Sequence, residues 1–131
     1  MRELRLGTLW LVLGLILVAA VLTLSLLPGA DLPIQGFNDK LNHALGFFAM
    51  TAWFCGLYPR RRWILVCGAM FALGLLIEVL QGWMAVGRTA ELPDVAADIA
   101  GIAAALVISA LGVDSWPVWC ERLLVRPARH L

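Results

Sequence analysis

The chain has 131 residues, of which 62% are hydrophobic and 15% charged, with a formal net charge of +1. That composition excludes an ordinary water-soluble domain and fits a single all-α membrane domain with no soluble catalytic domain attached. No nucleic acid is expected as a partner, because positions beside apolar segments account for the arginines.

Four apolar runs follow in order, at residues 7–27, 41–58, 63–80 and 95–113. Each holds roughly 18–21 residues, and at about 1.5 Å of rise per residue that length crosses a hydrocarbon core of roughly 30 Å. The first run starts behind Arg2 and Arg5, as a secretory signal would. It is about twice as long as a usual signal core of roughly 7–15 residues, and no small-x-small cleavage site follows. Pro28 and Gly29 instead read as the exit of a retained helix.

Small residues recur at four-residue spacing in Ala52 and Gly56, in Gly68 and Ala72, and in Ala97, Gly101 and Ala105. Such spacing lets helix backbones approach closely in lipid, and Gly101 is expected to separate the third and fourth helices if enlarged. Trp63 and Trp83 fall at opposite edges, where indole rings meet headgroups, whereas Trp53 is mid-span and suits core packing. Residues 1–113 thus predict a four-transmembrane-helix bundle with short loops. Residues 114–131 predict an amphipathic tail along the cytoplasmic surface, mixing Trp116, Trp119, Leu123 and Leu124 with arginines and interrupted at Pro117.

Orientation comes from the ten Lys and Arg residues. Arg2, Arg5, Arg60, Arg61, Arg62, Arg122, Arg126 and Arg129 fall on one side and only Lys40 and Arg88 on the other. The positive-inside rule places the crowded side, with both termini, in the cytoplasm of a multi-pass membrane protein. Cys55, Cys67 and Cys120 lie near that reducing side without any metal-binding spacing, and read as apolar filler. His130 reads as a solvated tail group.

Against this apolar background, His43, Glu78 and Asp98 stand inside the runs, where an ionisable group costs several kcal/mol unless paired or hydrated. Glu78 lies 16 residues beyond Arg62, about 24 Å along its helix and roughly 6 Å below the outer edge. Asp98, four residues past Asp94, and His43, one turn past Asp39, reach the same layer. At about 100° per residue, Asp94, Asp98, Gly101 and Ala105 share one face, as do Asp39, His43, Gly46 and Met50; Glu78 and Gln81 stand above Gly74. A polar pocket open to the outer surface and sealed below is expected.

Asp39-Lys40-x-x-His43, Glu78-x-x-Gln81, Gly87-Arg88 and Asp94-x-x-x-Asp98-x-x-Gly101, in this order, resemble the pattern of the VanZ-like membrane proteins over about residues 25–112. The chain departs from that pattern at Phe47, Val86 and Asp98, where tyrosine, proline and asparagine are frequent. The resemblance implies the bacterial cell envelope and a family linked to resistance to the glycopeptide teicoplanin; it implies no molecular activity.

Three kinds of function fit the polar residues. One is an outer-leaflet hydrolase or transferase acting on a phosphorylated amphiphile, such as a lipid-linked cell-wall intermediate. There His43, Glu78 and Asp98 are the catalytic candidates, and Asp39, Lys40, Gln81, Arg88 and Asp94 the substrate-binding ones. The second is a non-catalytic binder of a lipid or glycopeptide. The third is a solute or proton transporter, which four helices would support only as a homo-oligomer. No cofactor is expected; a divalent metal on His43, Glu78, Asp94 and Asp98 is chemically allowed, although no HExxH-type spacing supports one. Each residue also has a plain structural explanation. Glu78 could pair with Lys40, Arg88 or His43 merely to fix helix register, Asp94 could favour a helix start, and Asp39 could cap another. Asp31, Glu91 and Lys40 read as solvated loop charges.

Overall fold

A computed structural model describes residues 1–27, 39–84 and 91–124. The described residues are helical, with no strand among them. Four long helices run α1 (Gly7–Leu26), α2 (Asp39–Leu57), α3 (Trp63–Met84) and α4 (Leu92–Ala110), followed by a short α5 (Trp116–Leu124). Arg60–Arg62 forms a 3-10 turn between α2 and α3, and Val113–Ser115 forms another between α4 and α5.

The boundaries differ from the hydropathy runs at their polar ends. α2 starts at Asp39 and α4 at Leu92, so both acids before the runs are inside helices. Pro93 sits in the first turn of α4, where its missing N–H is no loss, and Asp94 in that turn faces the positive end of the helix. α4 closes at Ala110, three residues before the end of its run, because Gly112 takes a left-handed conformation at φ 113°.

Among the described residues, three segments are long and apolar enough to cross a membrane by length and composition: Gly7–Leu26, Arg60–Met84 and Leu92–Ala110. α2 has 19 residues, about 28 Å of rise, but Asp39, Lys40, Asn42 and His43 dilute its first turns. It is also the central helix, touching α1, α3 and α4, with Phe47, Met50, Thr51 and Cys55 fully buried. The outward faces of the other three are apolar: Ile64 is 77% exposed, Val79 66% and Val107 61%.

The closest helix pair is α2 with α4. A Cβ on Gly101 would stand 2.2 Å from the Ala44 carbonyl oxygen and 3.0 Å from the Phe48 nitrogen, so only glycine permits this approach. A larger residue at 101 would therefore separate α4 from α2, not from α3 as its sequence spacing suggested. A Cβ on Gly68 would meet nothing within 4 Å, so that glycine brings no helix close. Gly56 instead makes room for the Trp116 indole of α5.

That contact belongs to a tryptophan cluster. Trp116 lies 5.3 Å from Trp10 and 4.6 Å from Trp53 between ring centroids, and the Trp53 Nε1–H donates to the Trp10 carbonyl at 3.0 Å. Pro117 is buried at the start of α5 and does not interrupt it, since proline fits a first helical turn. Residues 114–124 are thus docked against the long helices on one side, while Trp119, Leu123 and Leu124 face outward. Arg126, Arg129 and His130 lie outside the described residues.

Asp114 and Glu121 hold this end together. The Arg2 guanidinium pairs with the Asp114 carboxylate and donates to its carbonyl at 2.8 Å, while Arg60 Nε stands 3.7 Å from the same carboxylate. Glu121 accepts from the Arg5 N–H at 3.0 Å, the Leu6 N–H at 2.8 Å and the Trp10 Nε1–H at 3.0 Å. α1 has no side-chain cap of its own. Glu121 supplies one from α5, meeting the unsatisfied amides and the positive dipole end together. Trp63, half-buried, donates to the carbonyls of Cys55 and Tyr58, and Trp83 is exposed.

Candidate functional site

At the opposite end, the first turns of α2 and α4 meet the last turns of α3. Antiparallel neighbours bring the start of one helix beside the end of the next, so the polar residues share a layer. His43 is 4% exposed, Glu78 6%, Gln81 1%, Asp94 3% and Asp98 1%.

His43 and Asp98 form the centre. The His43 Nδ1 lies 2.9 Å from Asp98 Oδ1, across the close α2–α4 contact that Gly101 allows. Gly74 of α3 completes the space: a Cβ there would stand 2.6 Å from Asp98 Oδ2. Below lies Phe47, fully buried.

Glu78 and Gln81 extend the layer from α3. Glu78 Oε2 accepts from the Glu91 backbone N–H at 2.8 Å, and Gln81 Nε2 donates to the Ser25 carbonyl of α1 at 2.8 Å. The Glu91 amide immediately precedes α4, so Glu78 fixes the start of α4 against the end of α3. Lys40 is 3.5 Å from Glu91 and 3.7 Å from Asp94, forming a partly exposed rim. Lys40 and Glu91 are therefore ion-paired across the mouth rather than freely solvated.

Several buried atoms in this layer have no hydrogen-bond partner among the described residues: His43 Nε2, Glu78 Oε1, Gln81 Oε1, Asp94 Oδ1 and Asp98 Oδ2. One ligand atom from each of His43, Glu78 and Asp98 lies within 4.8 Å of the other two, and the same holds for Asp39, His43 and Asp94. Either group could hold a metal ion, with His43 common to both.

The layer unites His43, Glu78, Gln81, Asp94 and Asp98, with Asp39 and Lys40 at its rim. Arg88 lies outside the described residues. The expected open pocket is instead a nearly closed cluster, since His43, Glu78, Gln81, Asp94 and Asp98 are all buried. A cleft of about 480 Å³ between α1, α2 and α3 lies elsewhere, lined by Leu11, Phe54, Tyr58 and Met70 with Arg62. Its walls are apolar and carry none of the acid–histidine chemistry. Sequence reasoning missed Glu91, whose backbone amide is what binds Glu78. An acid directly before Leu92 and Pro93 marks a helix entry, but not that its amide binds Glu78.

Comparison with known proteins adds no relative: no family model, no curated protein and no solved structure matches the chain.

Proposed function

We propose that the chain is a four-helix membrane protein whose His43 layer faces the outside of the cytoplasmic membrane and acts on an amphiphilic envelope ligand. The arrangement of polarity supports the membrane: large apolar side chains cover the outer faces of the long helices, while the acids and the imidazole are inside. The concentration of basic residues around the opposite end supports the orientation, with both termini cytoplasmic.

The observation that carries the functional reading is the His43–Asp98 pair. A carboxylate on Nδ1 fixes the imidazole tautomer and leaves the Nε2 lone pair for a ligand, and Nε2 has no partner among the described residues. His43 would then serve as general base in an outer-leaflet hydrolase or transferase. Lys40 stands at the rim, where it would meet an anionic group such as the phosphate of a lipid-linked intermediate. The residues that resemble the VanZ-like pattern include those of this layer, and it is on that resemblance that the bacterial envelope is proposed as the setting.

A second reading is that the layer only fixes helix packing. The Glu78 contact to Glu91 and the Gln81 contact to Ser25 favour it, since each ties two segments. The two readings separate in one experiment. His43→Ala, Glu78→Gln and Asp98→Ala are expected to melt close to wild type but lose the envelope phenotype in a drug-susceptibility assay. Variants that all melt far below wild type, or that keep the phenotype, would leave the layer as scaffolding.

A further inference from the structure

We propose that His43, Glu78 and Asp98 form a seat for one divalent transition-metal ion, the chemistry of Zn²⁺ or Mn²⁺. The inference rests on the same layer as the proposed function and names what occupies it.

Each of the three residues has one polar atom engaged and another unpartnered. Asp98 uses Oδ1 toward His43 and leaves Oδ2; Glu78 uses Oε2 toward the Glu91 amide and leaves Oε1; His43 uses Nδ1 and leaves Nε2. All three side chains are more than nine-tenths buried. Unpaired buried polar atoms are costly, and native structures keep few of them without water, an ion or a ligand. Two carboxylates with oxygens within 4.8 Å of one another in a poorly solvated layer repel as well, and a dication removes both costs.

Geometry and donor chemistry agree. One nitrogen and two carboxylate oxygens within 4.8 Å of one another form an incomplete polyhedron. Donors bound at about 2.1 Å sit roughly 3–4 Å apart, so shifts of about an ångström would close the three onto one ion. A mixed nitrogen and oxygen set suits Zn²⁺ or Mn²⁺ over Mg²⁺ or Ca²⁺, which favour oxygen alone. Gly74 keeps space beside Asp98 Oδ2 that any side chain would fill. The other group, Asp39, His43 and Asp94, is disfavoured because the Lys40 ammonium stands 3.7 Å from Asp94 and would repel a dication. With an ion bound, His43 is a ligand, and an ion-bound water takes over the role of base.

The test uses the full chain, purified in detergent and stripped with a chelator, titrated with ZnCl₂ or MnCl₂ by calorimetry and elemental analysis. One ion per chain and a raised melting temperature are expected. His43→Gln, Glu78→Gln and Asp98→Asn should each weaken binding by about tenfold or more, and the exposed, distant Glu3→Gln should not. X-ray absorption of the Zn²⁺-loaded wild type, which does not depend on any variant folding, should show one imidazole nitrogen among oxygen donors. A wild type that takes up no stoichiometric ion, an absorption spectrum without that nitrogen, or equal binding by folded Glu78→Gln and Asp98→Asn overturns the metal seat. If His43→Ala abolishes the phenotype while the wild type binds no ion, the metal falls and the catalytic pocket stands. If the ion binds through His43 but no variant alters the phenotype, the metal stands and the pocket's activity falls.

Discussion

Gly74 and Asp98 share one space: the carboxylate of Asp98 occupies the volume in which a side chain at position 74 would begin. The relationship joins α3 to α4 and holds Asp98 against His43 of α2. Gly74→Ala should therefore push Asp98 off the imidazole without opening the α2–α4 contact. A stability loss of about 1–3 kcal/mol is expected from the broken buried hydrogen bond, together with the same loss of phenotype as His43→Ala. Thermal melts beside drug-susceptibility assays check both; a variant identical to wild type in each would mean that Asp98 is not held where it stands.

The glycines predict opposite outcomes for one substitution. Gly101→Ala places a methyl group 2.2 Å from the Ala44 carbonyl oxygen, so the two helices must part, at about 1–3 kcal/mol. Gly68→Ala meets open space and gains helix propensity, worth about 0.5–1 kcal/mol. Unfolding midpoints in mixed detergent should fall for the first and stay level or rise for the second.

Glu121 makes a pH prediction at the other end of the molecule. Burial pushes its carboxyl up, but the Leu6 and Arg5 amides and the Trp10 indole outweigh that and hold it below the ordinary glutamate value. A depressed folded-state pKa stabilises fully above the ordinary value and is lost as pH falls through the folded one. The melting difference between wild type and Glu121→Gln should thus be largest near neutrality, about 1–3 kcal/mol from three hydrogen bonds to a charged acceptor. It should shrink as the pH is taken below the ordinary glutamate range. A difference that stays constant to low pH would rule out the carboxylate as the cap of α1.

Topology is tested by cysteine accessibility. Cysteines engineered at Gln35 and Ala90, both outside the described residues, should label from outside intact cells with an impermeant maleimide, and native Cys120 should not. Labelling of Cys120 with neither loop reactive would invert the orientation.

The four apolar segments, the crowding of arginine at one end and the shared depth of His43, Glu78 and Asp98 were legible in the chain itself. Hydropathy is a property of each segment, and a helix advances a fixed distance per residue, so depth follows from counting. The acid at position 91 was visible too, but its role belongs to a backbone amide that no residue type announces.

Rotation about the helix axes and choice of neighbour are different, because they depend on which surfaces fit. Gly101 met Ala44 of α2 rather than α3, Gly68 met nothing, and Glu121 reached back across the whole chain to cap α1. Spacing of small residues shows that a helix can be approached, but not by which partner. The order of residues was enough to set the helical segments and the layer of the ionisable groups, though not where each helix begins and ends. That the layer closes around a His43–Asp98 pair came only with the folded bundle, since side-chain packing between distant segments sets which faces meet.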